Sequence, residues 1–216
     1  SAVLLFSTCL VVLFIGRVPL KFIAMLLIIG GFSGMIAFQF GQRGGTAVSR
    51  VEVFFGDEIP YQAQQGYAAI ATGGLFGKGP GQSDQRNFLP SAYSDFIYAI
   101  IIEEYGFVGG IIVIFLYLGL LYRGMKATAH SETAYGGLLV SGLVFSIIFQ
   151  AMINIGVTLG LGPITGVTLP LLSMGGTSQL FFGIAIGMIL SVTQGELSSF
   201  PMGVKGNQSK KFERVA

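Results

Sequence analysis

Charge is what this chain of 216 residues has least of. Only 10% of it is Asp, Glu, Lys or Arg, and from 133 to 195 there is no charged residue at all. Soluble domains carry about 25%, so an ordinary globular fold is excluded. A net charge of +2 is too small to imply nucleic acid as a partner. Cysteine is almost as scarce. Cys9 stands alone, can close no intramolecular disulfide, and reads as a packing residue within an apolar run. The single histidine, His130, lies on a connection by itself, so neither a metal-ligand cluster nor a Ser/His/Asp set can be assembled. No Met and no charged n-region precede the first apolar run, and no signal peptide is evident. The abrupt start inside that run reads as the C-terminal part of a longer membrane protein.

What the chain does have is apolar length, with 52% hydrophobic residues and a mean hydropathy of +0.75. A helix needs about 20 apolar residues to cross the hydrocarbon core. Five segments approach this, at about 2–15, 20–40, 96–122, 135–157 and 179–192. Backbone polar groups in lipid must be satisfied within helices or closed barrels, and these runs are too continuous for barrel alternation. The fold expected is therefore all-α: a polytopic membrane helix bundle over 1–216, with a long loop at 41–94 and a tail at 195–216. Eight Lys and Arg residues (Arg17, Lys21, Arg123, Lys126, Lys205, Lys210, Lys211 and Arg214) fall on one side and four (Arg43, Arg50, Lys78 and Arg86) on the other. The richer side is cytoplasmic by the positive-inside rule, which puts the long loop outside and the C-terminus inside. Within that loop "VEVFFG" suggests a short strand or interfacial segment, and "YQAQQGYAAIATGGLFG" an amphipathic helix at the surface. A loop of this length is more often functional than idle.

Three carboxylates stand at the mouth of the third apolar run, in "LPSAYSDFIYAIIIEEYGFVGG". Asp95 could be a helix N-cap or a reactive group at the membrane boundary. Glu103 and Glu104 are about 12–14 Å further along a helix. At such depth an ionisable residue faces a wet cavity or finds a partner. The glycines of "GLFGKGPG" suit a tight loop or a backbone surface close to a ligand, with Lys78 and Arg86 available to a phosphate. Gln150 and Asn154 share a helix face and read as interhelical hydrogen bonders, and "GIAIG" from 183 to 187 as a packing face. "LPLLSMGGTSQ" reads as a broken or re-entrant lead into the last helix.

Taken together, "YQAQQ", "GGLFGKGPGQS", "LPSAYSDFIYAIIIEEYGFVGG", "FQAMINIGVTLGLGPITGVTLPLLSMGGTS" and a basic tail resemble the SEDS family of membrane proteins, FtsW, RodA and SpoVE. The resemblance covers the whole chain as the C-terminal half of such a protein. It implies a peptidoglycan glycosyltransferase of the bacterial inner membrane that polymerises lipid II at its outer face. It also implies a class B penicillin-binding protein as partner, together with other divisome or elongasome proteins. Carried onto this sequence, the family's essential aspartate is Asp95, expected as the general base that takes the acceptor hydroxyl proton. Lys78, Arg86, Gln62, Gln65, Glu103, Ser173, Gly175, Gly176, Thr177 and Ser178 are expected at the substrate. Positive charge for the departing pyrophosphate would come from Lys78, Arg86 or a divalent cation, with no other cofactor implied. "GKGPGQSDQRNFLP" is closer to division members than to elongation members.

The chain departs from the family within three motifs and in the spacing between "GQS" and "LP", which is shorter than in many members. It has Tyr93-Ser94-Asp95 where many members read His-Thr-Asp, Met174 where a tyrosine is common, and Thr165 where some division members carry lysine. A lipid-linked sugar flippase, or a scaffold that only recruits its transpeptidase, are the competing readings.

Overall fold

The computed structural model of the protein describes residues 2–40, 56, 60–85, 94–131 and 133–199. Six helices lie among them: α1 (Ala2–Ile15), α2 (Leu20–Phe40), α3 (Tyr61–Gly73), α4 (Ile97–His130), α5 (Ala134–Thr158) and α6 (Gly176–Ser199). No strand occurs among the described residues, and the "VEVFFG" segment falls almost entirely outside them. Three of the helices, α4, α5 and the 176–193 part of α6, are long and apolar enough to cross a membrane. Helix α2 has 21 residues, about 31 Å of rise. Helix α4 runs two turns beyond the apolar stretch that ends near Tyr122, and α6 begins at Gly176 rather than 179.

Helix α5 is the centre of the bundle, touching α1, α3, α4 and α6. Its start is set by Thr133, whose hydroxyl accepts from the Gly136 N–H at 3.1 Å. Val140, Val144, Ile147, Ile148 and Ala151 of α5 close on Tyr98, Ile102, Val113 and Tyr117 of α4, with Leu169, Ala185 and Ile189 completing the core. The outward faces are as apolar as the inward ones. Phe115, Leu116, Leu180, Phe181 and Ile184 are exposed, as is Cys9 on α1, so the expected packing role of Cys9 is not met within this chain. Gly183 and Gly187 also face open space. The inward face of α6 is instead formed by Ala185 and Ile189.

Helix α3 follows Pro60 and docks through a face of small residues, Ala63, Gly66, Ala69 and Gly73. Small side chains let backbones approach closely. At Gly73 the approach is so tight that a β-carbon would overlap the Ile102 carbonyl, and at Gly66 it would lie 3.1 Å from the Phe96 ring. The helix therefore lies against the first half of α4.

Candidate active site

Helix α4 is broken. At Gly106 the backbone leaves helical geometry (φ 71°, ψ −175°), which strands carbonyls before the break and N–H groups after it. The glycine-rich loop after α3 takes up both sets. Lys78 N–H donates to the Glu103 carbonyl and Gly79 N–H to that of Glu104, each at 3.0 Å; Phe107 N–H donates to Gly74 O at 2.9 Å and Val108 N–H to Leu75 O at 3.4 Å. Gly77 and Gly106 pass so close that a β-carbon on either would overlap the other strand, and both have positive φ. Of the glycines in "GLFGKGPG", Gly77 is the one that close backbone contact with the helix break requires.

The Glu103 carboxylate lies under this loop with no solvent exposure. Lys78 Nζ donates to its Oε1 at 2.9 Å, Asp84 N–H donates to Oε1 at 3.2 Å, and the Ser83 hydroxyl donates to Oε2. The Thr72 hydroxyl is 3.4 Å away. Lys78 also pairs with the exposed Asp84 at 2.9 Å. The hydrogen bonds that Lys78 donates to Asp84 and Glu103 hold its ammonium above the ordinary lysine range. A buried carboxylate is thus fully paired, which is what its burial demands.

Asp95 occupies a different setting, just before the start of the same helix. The N-cap of α4 is Phe96, and no side chain caps it, so the capping role for Asp95 is not realised. Its carboxylate is half-buried and accepts the Ser94 hydroxyl at 3.0 Å. Among the described residues Oδ2 has no donor, and its neighbour is the backbone of Gly166, where a β-carbon would lie 3.6 Å away. The segment is anchored through its main chain: Ser173 Oγ donates to Ser94 O at 2.6 Å and Asn154 Nδ2 to Asp95 O at 2.8 Å. The irregular stretch between α5 and α6 is fastened in the same way. Gln150 Nε2 donates to Thr168 O at 3.0 Å, Asn154 Nδ2 to Val167 O at 2.6 Å and Tyr117 OH to Pro170 O. Non-helical backbone at membrane depth survives only with such partners. Among the described residues no three His, Cys, Asp or Glu side chains gather to hold a metal ion.

A family model described as "Cell cycle protein", covering FtsW, RodA and SpoVE, matches residues 1–197. The chain belongs to this family. It is 37% identical over 196 residues to "Stage V sporulation protein E" of Bacillus subtilis (strain 168), covering 87% of this chain and 52% of that protein. It is 38% identical over 152 residues to "Probable peptidoglycan glycosyltransferase FtsW" of Enterococcus hirae, covering 70% of this chain and 38% of the relative. Identity to "Peptidoglycan glycosyltransferase RodA" of Treponema pallidum (strain Nichols) is 39% over 155 residues, 68% of this chain and 36% of the relative. The chain spans about half the length, or less, of these relatives. A solved structure described as "Structural coordination of polymerization and crosslinking by a peptidoglycan synthase complex" superposes with a TM-score of 0.55 at 25% identity. The overlap covers 86% of this chain and 55% of that one. With three long apolar helices and this family membership, the FtsW/RodA/SpoVE-family chain is an integral membrane protein.

The residues singled out from the family resemblance fall into two groups. Asp95 and Ser173 come together through Ser94, and Lys78 and Glu103 come together through the loop. Asp95 precedes α4 and Glu103 lies nearly two turns into it, which puts the two on the order of 10 Å apart along the axis. Gln62 and Gln65 are half-buried on α3, the helix whose Gly66 rests on Phe96 beside Asp95. Gly175, Gly176, Thr177 and Ser178 form the turn into α6 directly after Ser173; Thr177 is exposed, and Ser178 packs on Gly175. Arg86 lies outside the described residues. Ser83, Tyr117 and Gly166 were not singled out from the sequence. Ser83 had a signal in the "GQS" that follows the glycine run, whereas nothing local marks Gly166, which matters only because Asp95 lies against it.

Proposed function

We propose that the whole protein is a peptidoglycan glycosyltransferase that polymerises lipid II at the outer face of the bacterial cytoplasmic membrane, with Asp95 as general base. The observation that carries this reading is the state of the Asp95 carboxylate: half-exposed, free of any capping duty, and held on a fixed backbone at the end of a membrane helix. The acceptor 4-hydroxyl attacks the anomeric carbon of a donor linked through pyrophosphate to a polyprenyl chain. The new O–C bond forms as the C–O bond to pyrophosphate breaks, the pyrophosphate leaves with the bonding pair, and the hydroxyl proton passes to Asp95. The leaving group needs positive charge. Lys78 spends two of its three N–H donors on Asp84 and Glu103, which leaves the third for a phosphate oxygen.

The distribution of Lys and Arg supports an outside location for the loop at 41–94 and a cytoplasmic C-terminus. A class B penicillin-binding protein is the proposed partner. The likeness to a chain of a peptidoglycan synthase complex supports such an assembly. The run "GKGPGQSDQRNFLP" favours a role in cell division over elongation.

Purified whole protein given lipid II, with and without the transpeptidase, tests the reading. Glycan strands on a gel are the expected result. Headgroup translocation across vesicles without polymer would instead make it a flippase, and neither activity would leave a scaffold.

A further inference from the structure

Helical hydrogen bonding in α4 begins at the Phe96 carbonyl, which accepts from Ala99 N–H at 3.0 Å and Ile100 N–H at 3.3 Å. The carbonyls of Ser94 and Asp95 therefore lie outside the helix ladder, and each is taken by a side chain from another part of the fold. Ser173, 2% exposed, donates its hydroxyl proton to Ser94 O at 2.6 Å while its oxygen accepts Leu169 N–H at 2.7 Å. Asn154, also 2% exposed, donates from Nδ2 to Asp95 O at 2.8 Å and to Val167 O at 2.6 Å. Two carbonyl oxygens at that nitrogen demand N–H donors, which fixes the amide's orientation.

The placement of these two bonds is specific. The Ser94 carbonyl belongs to the peptide plane before the Asp95 α-carbon, and the Asp95 carbonyl to the plane after it. Pinning both planes fixes both backbone dihedrals at Asp95, and with them the direction of its Cα–Cβ bond. The hydroxyl of Ser173 has given its only proton to the backbone, so it has none to offer a sugar or a phosphate.

We propose that Ser173 and Asn154 are positioning residues, which aim the Asp95 carboxylate by clamping the peptide planes on either side of its α-carbon. This rests on the reading of Asp95 as general base, and it moves Ser173 from the substrate to the support of the base. The clamp also ties the base to the 167–173 segment, because the same two side chains hold Leu169 N–H and Val167 O. A misaimed base loses turnover steeply, since a displacement of about 1 Å can cost on the order of 100-fold.

The test is steady-state lipid II polymerisation by the whole protein. The variants are Ser173→Ala, Ser173→Cys, Asn154→Ala, Asp95→Asn, and the doubles Ser173→Ala/Asp95→Asn and Asn154→Ala/Asp95→Asn. Expected are a loss of about 10- to 100-fold in kcat for each alanine variant, KM within about twofold of wild type, and kcat ordered Ser, Cys, Ala at position 173. Cys keeps a weak donor on a somewhat larger side chain. In the Asp95→Asn background the clamp variants should add no further loss, because they act through the carboxylate that is already gone.

A raised KM with unchanged kcat would return Ser173 to the substrate. A full multiplicative loss on top of Asp95→Asn would make the clamp independent of the base. Either result overturns the proposal. Should the Asp95→Asn rate fall below detection, the kcat order at position 173 decides, with a flat order counting against it. If Asp95→Asn itself polymerises at the wild-type rate, the general-base reading has failed, and that outcome is separate from the other two.

Discussion

Glu103, inside α4, and Asp95, just before its start, are carboxylates with opposite surroundings. Glu103 is fully buried and saturated by Lys78, Ser83 and the Asp84 N–H, whereas Asp95 is half-exposed and keeps an oxygen without a donor among the described residues. The first environment suits a structural latch and the second a base. Removing the charge at Glu103 leaves Lys78 with Asp84, whereas removing Lys78 leaves a buried anion without its cation. Glu103→Gln is expected to destabilise the protein by about 1–3 kcal/mol. Lys78→Met should lower the melting temperature in detergent further than Glu103→Gln does. Lys78 is raised above the usual lysine range, chiefly by Asp84 and then by Glu103. A group whose folded pKa is raised stabilises fully below its unfolded pKa, about 10.4 for lysine, and loses that contribution as pH rises through the folded value. The loop at 74–85 should therefore stay protected from proteolysis through neutral and mildly alkaline pH, and loosen only above that range.

At the scale of elements, the break in α4 and the loop that fills it are one unit. Gly106→Ala places a β-carbon onto the Leu75 carbonyl at a φ that L-residues avoid, and should cost at least about 1–3 kcal/mol with loss of the loop's docking. Gly119 lies in the same helix with open space around its α-carbon, so Gly119→Ala should be neutral or stabilising by up to about 1 kcal/mol. Thermal unfolding of the two variants side by side checks the contrast.

The sequence shows the apolar helices clearly because hydropathy is a local property. It does not show where α4 is broken, since "EYGFVGG" offers several glycines and only the approach of Gly77 selects Gly106. The runs at 2–15, 20–40 and 135–157 end within a residue of their helices, whereas α4 continues to His130, and α6 beyond 192, through residues too polar for a hydrophobic run. The partners of Glu103 and Ser94 are hidden for the same reason. Lys78 is 25 residues from Glu103 and Ser173 is 79 from Ser94, and contacts at such separation are set by packing. What could be read locally was residue type: Gln150 and Asn154 do hydrogen-bond across the fold, but to non-helical backbone at 95, 167 and 168 rather than from helix to helix as expected.

For the whole molecule, the exposed apolar faces of α4 and α6 are a liability in water and the natural surface in lipid. Exposed Gln82, on the loop over Glu103, offers a probe of orientation. In a Cys9→Ser background, Gln82→Cys should react with a membrane-impermeant maleimide from outside intact cells; labelling only after lysis would reverse the proposed topology. The central claim, that Asp95 removes the acceptor proton, is tested most directly by the polymerisation rate of the whole protein carrying Asp95→Asn. Asparagine keeps the size and can still accept the Ser94 hydroxyl, so expression, insertion and melting temperature should match wild type. The rate should fall by about 10²–10⁴-fold, equivalent to about 3–5 kcal/mol in the barrier. A variant that polymerises lipid II at close to the wild-type rate would contradict the account.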